Sequence, residues 1–406
     1  MPTLADYSTK RADFRAKTPA ILPAARQFGD SVAMRVIHIM NHCGFANGNV
    51  HAAVDLACAQ AARGDTVCMA AGGGEFVALL EQHGVEHVLI EQEDRNPLSV
   101  LRMVVALERL VRRFKPDVLH AHMMTGAVIG GVVSRLKGVP LVTTVHNAFD
   151  SHAILMGLGH RVVGVSQNTA DCMAGRGVSR KRLRVVLNGT LGAPRRDFFP
   201  RQPVTLKSPN FVTISALHGR KGIPDMINAF SLVAAQQGEA QLYIVGGGPG
   251  EAEYRALATA SPAAERIHFL GQLRDTKSFL DAGDIFLLTS HDEPFGLVLT
   301  EAREAGCAIV ATNVGGVPEA LDQGEAGLLV PPKRPDQLAQ ALLGLLDNPA
   351  EVERLQAASR RNLDRWTVDR VAREYGAIYA EAIAARRSAR GRRAPSDAAT
   401  PSEVTP

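Results

Sequence analysis

The feature that most constrains this chain is an alternation of short apolar runs with helical patterns, which occurs twice along its 406 residues. Apolar runs of four to six residues bounded by turn residues are typical of buried strands, and helices between them favour a parallel sheet covered on both faces. The first series of predicted strands covers residues 35–40, 66–70, 117–121, 141–145 and 162–165. The second covers 211–215, 241–245, 267–270, 285–289, 308–311 and 327–330.

Between the two series the pattern weakens over residues 188–209, which are rich in Pro, Gly and Arg and predict a linker. The predicted fold is therefore α/β, with two Rossmann-like αβα domains facing each other across a cleft, where such sheets bind ligands. The predicted boundaries are an N-terminal extension (1–33), an N-terminal domain (34–195), a C-terminal domain (196–370), a C-terminal helix packing back toward the N-terminal domain (371–388) and a disordered tail (389–406).

Composition excludes several classes of protein. Hydrophobic residues make up 46% and charged residues 21%, which excludes a disordered chain, a collagen and a disulfide-stapled miniprotein. Aromatic residues are only 5%, which argues against nucleic-acid binding by base stacking. Five widely spaced cysteines without a CxxC pair argue against a structural zinc site and for reduced thiols. No apolar membrane span or signal-peptide core is found, so a cytoplasmic protein is expected.

Charge is unevenly distributed along the chain. Residues 34–190 carry a net charge of +4, and residues 191–385 carry −5. The plain interpretation is solvated surface charge. The alternative is a basic face on the first domain, including an Arg-rich amphipathic helix near residues 102–113, that contacts an anionic membrane.

The most informative motif is the run HDEPFGLVLTE at residues 291–301. It follows a predicted strand, and Pro294 and Gly296 predict a turn with a helix beginning near Leu297. A helix start presents free N–H groups and a positive dipole end that suit a phosphate. Glu293 before the helix and Glu301 within it can accept hydrogen bonds from sugar hydroxyls. On spacing alone, a capping acid and an exposed helical glutamate are the simpler interpretation.

The run EPFGLVLTEAREAGCAIVATNVGGVPEAL, followed by GLLVPP, closely resembles the signature of family 4 of the retaining glycosyltransferases, whose fold is called GT-B and whose motif is written E-x7-E. The resemblance extends over about residues 35–385 and includes DVLHAH (117–122), TVH (144–146), KG (221–222), VGGGP (245–249) and HFLG (268–271).

This resemblance implies roles for the residues of the motif. Glu293 would hold hydroxyls of the donor sugar and Glu301 those of the ribose. Backbone groups of a short run would face the sugar and the diphosphate, namely those of Phe295, Gly296, Leu297 and Val298. No cofactor is expected, because the nucleotide sugar is a substrate.

A cation beside the diphosphate would stabilise the charge that builds on the departing nucleoside diphosphate. The resemblance gives this role to Lys221. The family usually has an Arg five residues earlier, where this chain has Ala216, and the adjacent Arg220 is a candidate substitute.

In the first domain, Gly44 and Gly48 lie in the loop after the first strand, which in the family approaches the donor phosphates. Glycine permits close backbone approach, although a simple tight turn is an equal alternative. His146 ends a predicted strand at the cleft. The resemblance places such a His near the reacting centre, where it could donate a hydrogen bond or help to move a proton.

The glycine run 246–248 suggests a dinucleotide fingerprint, but Glu251 stands where that frame requires its last glycine, and the dehydrogenase hypothesis is rejected. Under the resemblance, Gly246 and Gly248 line the nucleotide pocket, and Gln272 and Leu273 lie beside the base. The chain contains no D-x-D metal motif, so a metal-independent transferase is expected.

The leading hypothesis is a retaining hexosyltransferase with catalytic residues His146, Lys221 and Glu293. It would move a sugar from a UDP- or GDP-linked donor to a lipid-linked or polysaccharide acceptor at the cytoplasmic face of the membrane. Front-face attack, assisted by the leaving phosphate, is the retention mechanism usually given for the family. The alternatives are a phosphorylase or epimerase on the same scaffold, and a non-catalytic nucleotide-sugar-binding protein or partner subunit.

Overall fold

The protein is seen in a computed structural model that describes residues 33–45, 47–92 and 96–391. The predicted extension, apart from Ala33, and the predicted tail beyond Gly391 lie outside the described residues.

Two parallel sheets form the framework. The first has the order β3-β2-β1-β4-β5-β6-β7 and the second the order β10-β9-β8-β11-β12-β13, which confirms the predicted pair of Rossmann-like domains. The strands of the first sheet are β1 (Arg35–His42), β2 (Thr66–Gly72), β3 (Glu86–Leu89), β4 (Val118–Ala121), β5 (Leu141–Val145), β6 (Arg161–Gly164) and β7 (Leu183–Val185). Those of the second are β8 (Asn210–Ile214), β9 (Gln241–Val245), β10 (Ile267–Gly271), β11 (Ile285–Leu288), β12 (Ala308–Thr312) and β13 (Leu328–Val330).

Helices connect the strands and cover the sheets. In chain order they are α1 (Gly48–Ala62), α2 (Val77–Gln82), α3 (Pro97–Phe114), α4 (Met124–Lys137), α5 (Gln167–Gly175), α6 (Ile223–Ala234), α7 (Glu251–Thr259), α8 (Lys277–Ala282), α9 (Leu297–Ala305), α10 (Val317–Ala320), α11 (Pro335–Leu346), α12 (Pro349–Ser359) and α13 (Val368–Gly391). Short 3-10 turns include Gly219–Lys221 and Pro194–Asp197, the latter between the two sheets. No helix in the described ranges has both the length and the apolar character that crossing a bilayer requires.

The central strands are buried on both faces. In β1, Val36, Ile37 and Ile39 are fully buried, as expected of a parallel strand covered by helices above and below. The order of each sheet reverses at its first strand, between β1 and β4 in one and between β8 and β11 in the other. Such reversals leave a crevice at the carboxyl ends of the strands, and these two crevices are where the ligand site is expected.

The last helix returns to the first domain. Val371 and Ile378 of α13 pack in one apolar cluster with Val36 of β1 and Val118 of β4. Near the end of the helix, Glu381 forms ion pairs with arginines of the neighbouring strands, Arg161 and Arg184. The N-terminal domain is therefore completed by the C-terminal end of the described chain.

Candidate functional site

A cavity of about 600 Å³ lies where the two crevices meet, and both domains line it. The close approach of the domains is seen at Gly48, the first residue of α1. A Cβ added there would lie 3.5 Å from Leu297 Cδ1, at the start of α9. The cavity volume falls within the usual range for small-molecule sites.

Most of the predicted catalytic and donor-binding residues line this cavity. They are Gly48, His146, Arg220, Lys221, Gly246, Gln272, Leu273, Glu293, Phe295, Gly296, Leu297, Val298 and Glu301. The structure does not place Gly44 or Gly248 among the lining residues. The Gly44 N–H donates to His42 Nδ1 at 3.0 Å, and a Cβ on Gly248 would lie 2.6 Å from the carbonyl oxygen of Leu217. These two glycines therefore shape loops behind the cavity rather than its wall.

Glu293 and Lys221 form an ion pair at the cavity. Glu293 follows β11 and is 6% exposed, and its Oε2 lies 2.5 Å from Lys221 Nζ. The same oxygen accepts a hydrogen bond from Ser290 Oγ at 3.0 Å. Within the described part of the chain no hydrogen-bond donor is recorded for Oε1, which can therefore accept from a ligand hydroxyl.

The start of α9 forms part of the cavity wall. Gly296 precedes the helix with φ 85° and ψ 72°, in the left-handed region that glycine adopts without steric cost. Leu297 and Val298 occupy the first turn and line the cavity, and first-turn N–H groups lack intrahelical partners. The predicted helix start near Leu297 is confirmed, and its dipole favours an anionic group there.

Glu301 also lines the cavity, but it is already paired. Its Oε1 lies 3.1 Å from Arg195 Nη2, and its Oε2 lies 3.0 Å from Arg196 Nη1. Burial alone would raise the pKa of Glu301, but the charges of Arg196 and Arg195 outweigh it and hold that pKa below its ordinary value. A ribose at Glu301 would therefore meet a carboxylate held in place by two guanidinium groups.

Arg195 and Arg196 are functional candidates that the sequence analysis missed. They belong to the 3-10 turn Pro194–Asp197 in the predicted linker, and they are only 8% and 9% exposed. Arg195 also forms a buried ion pair with Asp55 of α1 at 2.9 Å. An Arg-Arg pair in a linker normally indicates solvent exposure. The apolar and turn residues on either side of the pair were a signal that this segment is buried, but that signal is weak.

Cations outnumber acids around the cavity. The lining basic residues are Arg195, Arg196, Arg220, Lys221, Arg274 and Lys277, and the lining acids are Asp275, Glu293 and Glu301. Ala216, which stands where the resembled family usually has an arginine, is also part of the wall. The guanidinium of Arg220 lies 4.4 Å above the ring of Phe149 from the other domain. A concave surface with this excess of positive charge attracts anions such as diphosphates.

His146 is one of the first-domain residues that line the cavity. Burial lowers its pKa to about 4, so the imidazole is neutral at physiological pH. Its Nε2 lies 3.1 Å from His122 Nδ1.

Two family models match the chain, one to each domain. The model described as Glycosyltransferase Family 4 matches residues 46–190, and the model described as Glycosyl transferases group 1 matches residues 194–362. The chain belongs to the family-4 glycosyltransferases. The second match contains both glutamates of the E-x7-E motif, and the site described above lies between the two matched regions.

Similar proteins agree with this membership. The chain is 29% identical over 287 residues to glycogen synthase of Mycobacterium tuberculosis, covering 65% of this chain and 69% of that protein. It is 28% identical over 346 residues to D-inositol 3-phosphate glycosyltransferase of Acidothermus cellulolyticus, covering 73% and 75%. The crystal structure of Anabaena HepE in complex with UDP and glucose superposes with a TM-score of 0.74 at 21% identity, covering 86% of this chain and 99% of that one. The GT-B fold expected of a family-4 glycosyltransferase is thereby confirmed.

Proposed function

We propose that this family-4 glycosyltransferase is a retaining, metal-independent hexosyltransferase that uses a UDP- or GDP-linked donor. The observation that carries the proposal is the Lys221–Glu293 pair, 2.5 Å apart, beside the start of α9 in a cavity with an excess of cations. Lys221 and the α9 dipole would face the donor diphosphate, and Glu293 would face the sugar hydroxyls.

The chemistry then follows from charge. When the sugar leaves, negative charge builds on the departing diphosphate, and a fixed cation and a helix start stabilise it without reorganisation. In front-face attack the acceptor hydroxyl approaches on the side of the leaving group, whose phosphate oxygen takes the hydroxyl proton. The configuration at the anomeric carbon is retained, and no carboxylate is needed as a nucleophile.

The donor is tested in two stages. A thermal-shift screen with UDP, GDP and ADP should raise the melting temperature most for the preferred nucleotide, because a ligand stabilises the state that binds it. HepE holds UDP and glucose in its crystal structure, so UDP-glucose is the first sugar nucleotide to assay for slow hydrolysis. Proton NMR of the freshly released sugar reports its anomeric configuration.

Glu293→Gln should lower donor turnover by roughly a hundredfold or more while the melting temperature stays near that of the wild type. Asp292→Asn is the matched control, since Asp292 is the neighbouring acid but is exposed. An inverted product would contradict retention. Activity that EDTA abolishes and a divalent cation restores would contradict metal independence. Nucleotide binding with no turnover of any sugar nucleotide would favour the non-catalytic alternative.

We propose further that the acceptor is lipid-linked and is met at the cytoplasmic face of an anionic membrane, through one face of α3. The helix buries Met103, Leu107 and Leu110 against the sheet. Leu98, Leu101 and Val105 are 56%, 58% and 40% exposed. The domain itself therefore does not cover these apolar side chains.

The basic side chains of α3 favour an anionic surface as the occupant of this face. Arg102 and Arg109 are exposed on the same helix, and juxtaposed basic and apolar side chains are typical of peripheral membrane helices. Leu101→Gln should abolish salt-sensitive flotation with phosphatidylglycerol vesicles, whereas Leu232→Gln, on an exposed site of the other domain, should not. Flotation equal to that of the wild type would contradict this part of the proposal.

A further inference from the structure

A buried chain of hydrogen bonds begins at His146 and leads away from the cavity. His146 Nε2 lies 3.1 Å from His122 Nδ1, and His122 Nε2 lies 2.8 Å from His38 Nδ1. His38 Nε2 lies 2.7 Å from Gln60 Oε1. His146 and His122 directly follow β5 and β4, His38 lies in the middle of β1, and α1 supplies Gln60.

The chain continues from Gln60 to the last helix. Gln60 Nε2 donates to Tyr379 Oη at 3.1 Å, and Tyr379 Oη lies 2.7 Å from His120 Nδ1. His120 Nε2 lies 2.7 Å from Thr144 Oγ1, which lies 2.7 Å from Tyr375 Oη. All these side chains beyond His146 are buried, with at most 3% exposure.

The amide of Gln60 gives the whole chain one direction. A carbonyl oxygen only accepts and an amide nitrogen only donates, so His38 must donate from Nε2 to Gln60 Oε1. Burial lowers the pKa of His38 to about 4, so this ring is neutral and its Nδ1 accepts from His122 Nε2. The pKa of His122 is likewise lowered by burial, and its Nδ1 accepts from His146 Nε2. The hydrogen bonds on the other side of Gln60 agree with this direction, because the Tyr379 hydroxyl accepts from Gln60 and can donate to His120.

The cavity end of the chain is left with a bare lone pair. His146 is partly exposed and lines the cavity, and no hydrogen-bond partner is recorded for its Nδ1 within the described part of the chain. With the proton held on Nε2, Nδ1 can only accept a hydrogen bond.

We propose that Gln60, His38 and His122 are positioning residues that hold His146 as its Nε2–H tautomer, so that Nδ1 accepts a hydrogen bond from a hydroxyl of the bound sugar. This inference rests on the proposed function for the identity of the ligand. It also gives a role to His38 and His122, which are buried and do not line the cavity.

A metal ion is the competing explanation, since ligand nitrogens of His38, His120 and His122 lie within 4.8 Å of one another. Both ring nitrogens of each of these histidines already have hydrogen-bond partners, given above. A bound metal would have to break some of these bonds, because coordination uses the same lone pair that accepts the hydrogen bond. The hydrogen-bonded arrangement accounts for the cluster without an ion.

The direct test is tautomer assignment by long-range proton–nitrogen correlation NMR on full-length protein labelled with ¹⁵N-histidine, using His146→Gln to assign the His146 signals. The expected spectrum shows His146, His122 and His38 as neutral Nε2–H tautomers. An Nδ1–H tautomer or an imidazolium at His146 would overturn the proposal. A stoichiometric transition metal in the purified protein, found by elemental analysis, would overturn it as well.

Two matched variants separate positioning from stability. Tyr379→Phe removes the acceptor that orients the Gln60 amide, whereas Tyr375→Phe removes only the last link of the chain, on the same helix and at similar burial. Tyr379→Phe should give a mixture of His146 tautomers and lower kcat/KM for the donor by up to roughly tenfold, the loss expected for one hydrogen bond. Tyr375→Phe should leave the His146 tautomer unchanged.

Equal His146 spectra for the two variants would overturn the proposal. The tautomer spectra do not depend on turnover, so an inactive protein with His146 as Nε2–H would contradict the proposed function alone. An active enzyme with His146 as Nδ1–H would contradict the positioning alone.

Discussion

Replacement of Arg195 by methionine should destabilise the protein by about 3–5 kcal/mol, the usual cost of breaking a buried ion pair from one side. Asp55 is 1% exposed. Its carboxylate accepts from Arg195 Nε at 3.0 and 3.2 Å and from Arg195 Nη2 at 2.9 Å. Glu301 would keep Arg196 at 3.0 Å, so the cost falls mainly on Asp55. For a protein of ordinary stability this is a large share of the free energy of unfolding.

The loss in Arg195→Met should depend on pH in a defined direction. Burial already raises the pKa of Asp55 in the intact protein, and Arg195 is the main group that counteracts it. Without Arg195, the folded variant should hold a proton on Asp55 at pH values where the unfolded chain has released it. An acid whose pKa is higher in the folded state contributes its stability at low pH and loses it as pH rises. The deficit of the variant should therefore shrink as pH falls toward about 4.

A double-mutant cycle measured by urea unfolding gives the decisive comparison. Arg195→Met and Asp55→Leu should each be destabilising, and the double variant should lose clearly less than the two losses combined, because neither charge is then left buried alone. Arg201→Met is the control, since Arg201 lies in the same linker with a 46% exposed side chain, and its loss should stay within about 0.5 kcal/mol. An Arg195→Met loss below about 1 kcal/mol, or strictly additive single losses, would refute this reasoning.

Three further predictions follow. Gly246→Ala should cost more than about 1 kcal/mol in urea unfolding, because Gly246 has φ 141° and its Cβ would lie 1.9 Å from Ser215 O; Gly247→Ala, whose Cβ has 3.8 Å of clearance, should cost little, and equal losses would contradict this. Stability should fall as pH drops from 6.5 toward 4, by up to roughly 3 kcal/mol for each of His38 and His146. Burial lowers the pKa of both residues to about 4, so the unfolded chain binds these protons at a higher pH than the folded protein does. A flat pH profile of urea midpoints would contradict this. Gly189→Ala should lower the melting temperature, because its Cβ would lie 2.6 Å from Trp366 O. An unchanged melting temperature would contradict this, since it would show that the segments around Gly189 and Trp366 can move apart at no cost.

The central strands could be predicted from the sequence because burial on both faces requires continuous apolar runs. Both β5 and β9 were predicted with their observed bounds. The strands that the sequence analysis missed within the described residues, β3 and β7, are the two edges of the first sheet. Edge strands are short and partly exposed. Glu86 and Arg184 can therefore lie in these strands without burying a charge. They interrupt the apolar run by which a strand is predicted from the sequence.

The candidate site was predictable where local backbone chemistry determines it. Pro294 and Gly296 mark the turn before α9. The roles of the two glutamates came from the family resemblance, because their spacing alone favoured an exposed helical glutamate, whereas Glu301 is 6% exposed. The partners of Glu301 were not predictable, because Arg195 and Arg196 reach it only after the linker folds between the domains. The histidine chain was hidden for a similar reason. His120 and His122 lie two residues apart at the end of β4, but His38 and His146 come beside them only through the sheet order.

The same tertiary constraint explains why the last helix belongs to the first domain. The described chain passes from the first domain to the second after β7 and returns before α13, and the two passages are hydrogen-bonded to each other. Leu191 N–H donates to Trp366 O at 3.0 Å, and Val368 N–H donates to Leu191 O at 2.9 Å. Two domains that are joined by two adjacent, hydrogen-bonded segments of the chain can rotate about that junction. They cannot move far apart without breaking its hydrogen bonds. Arg195 lies four residues beyond Leu191, so its ion pairs with Asp55 and Glu301 bridge the domains close to this junction. We therefore expect a rotation about this junction to disturb interdomain contacts that are not part of it, such as that of Arg220 with Phe149, more than it disturbs this ion cluster.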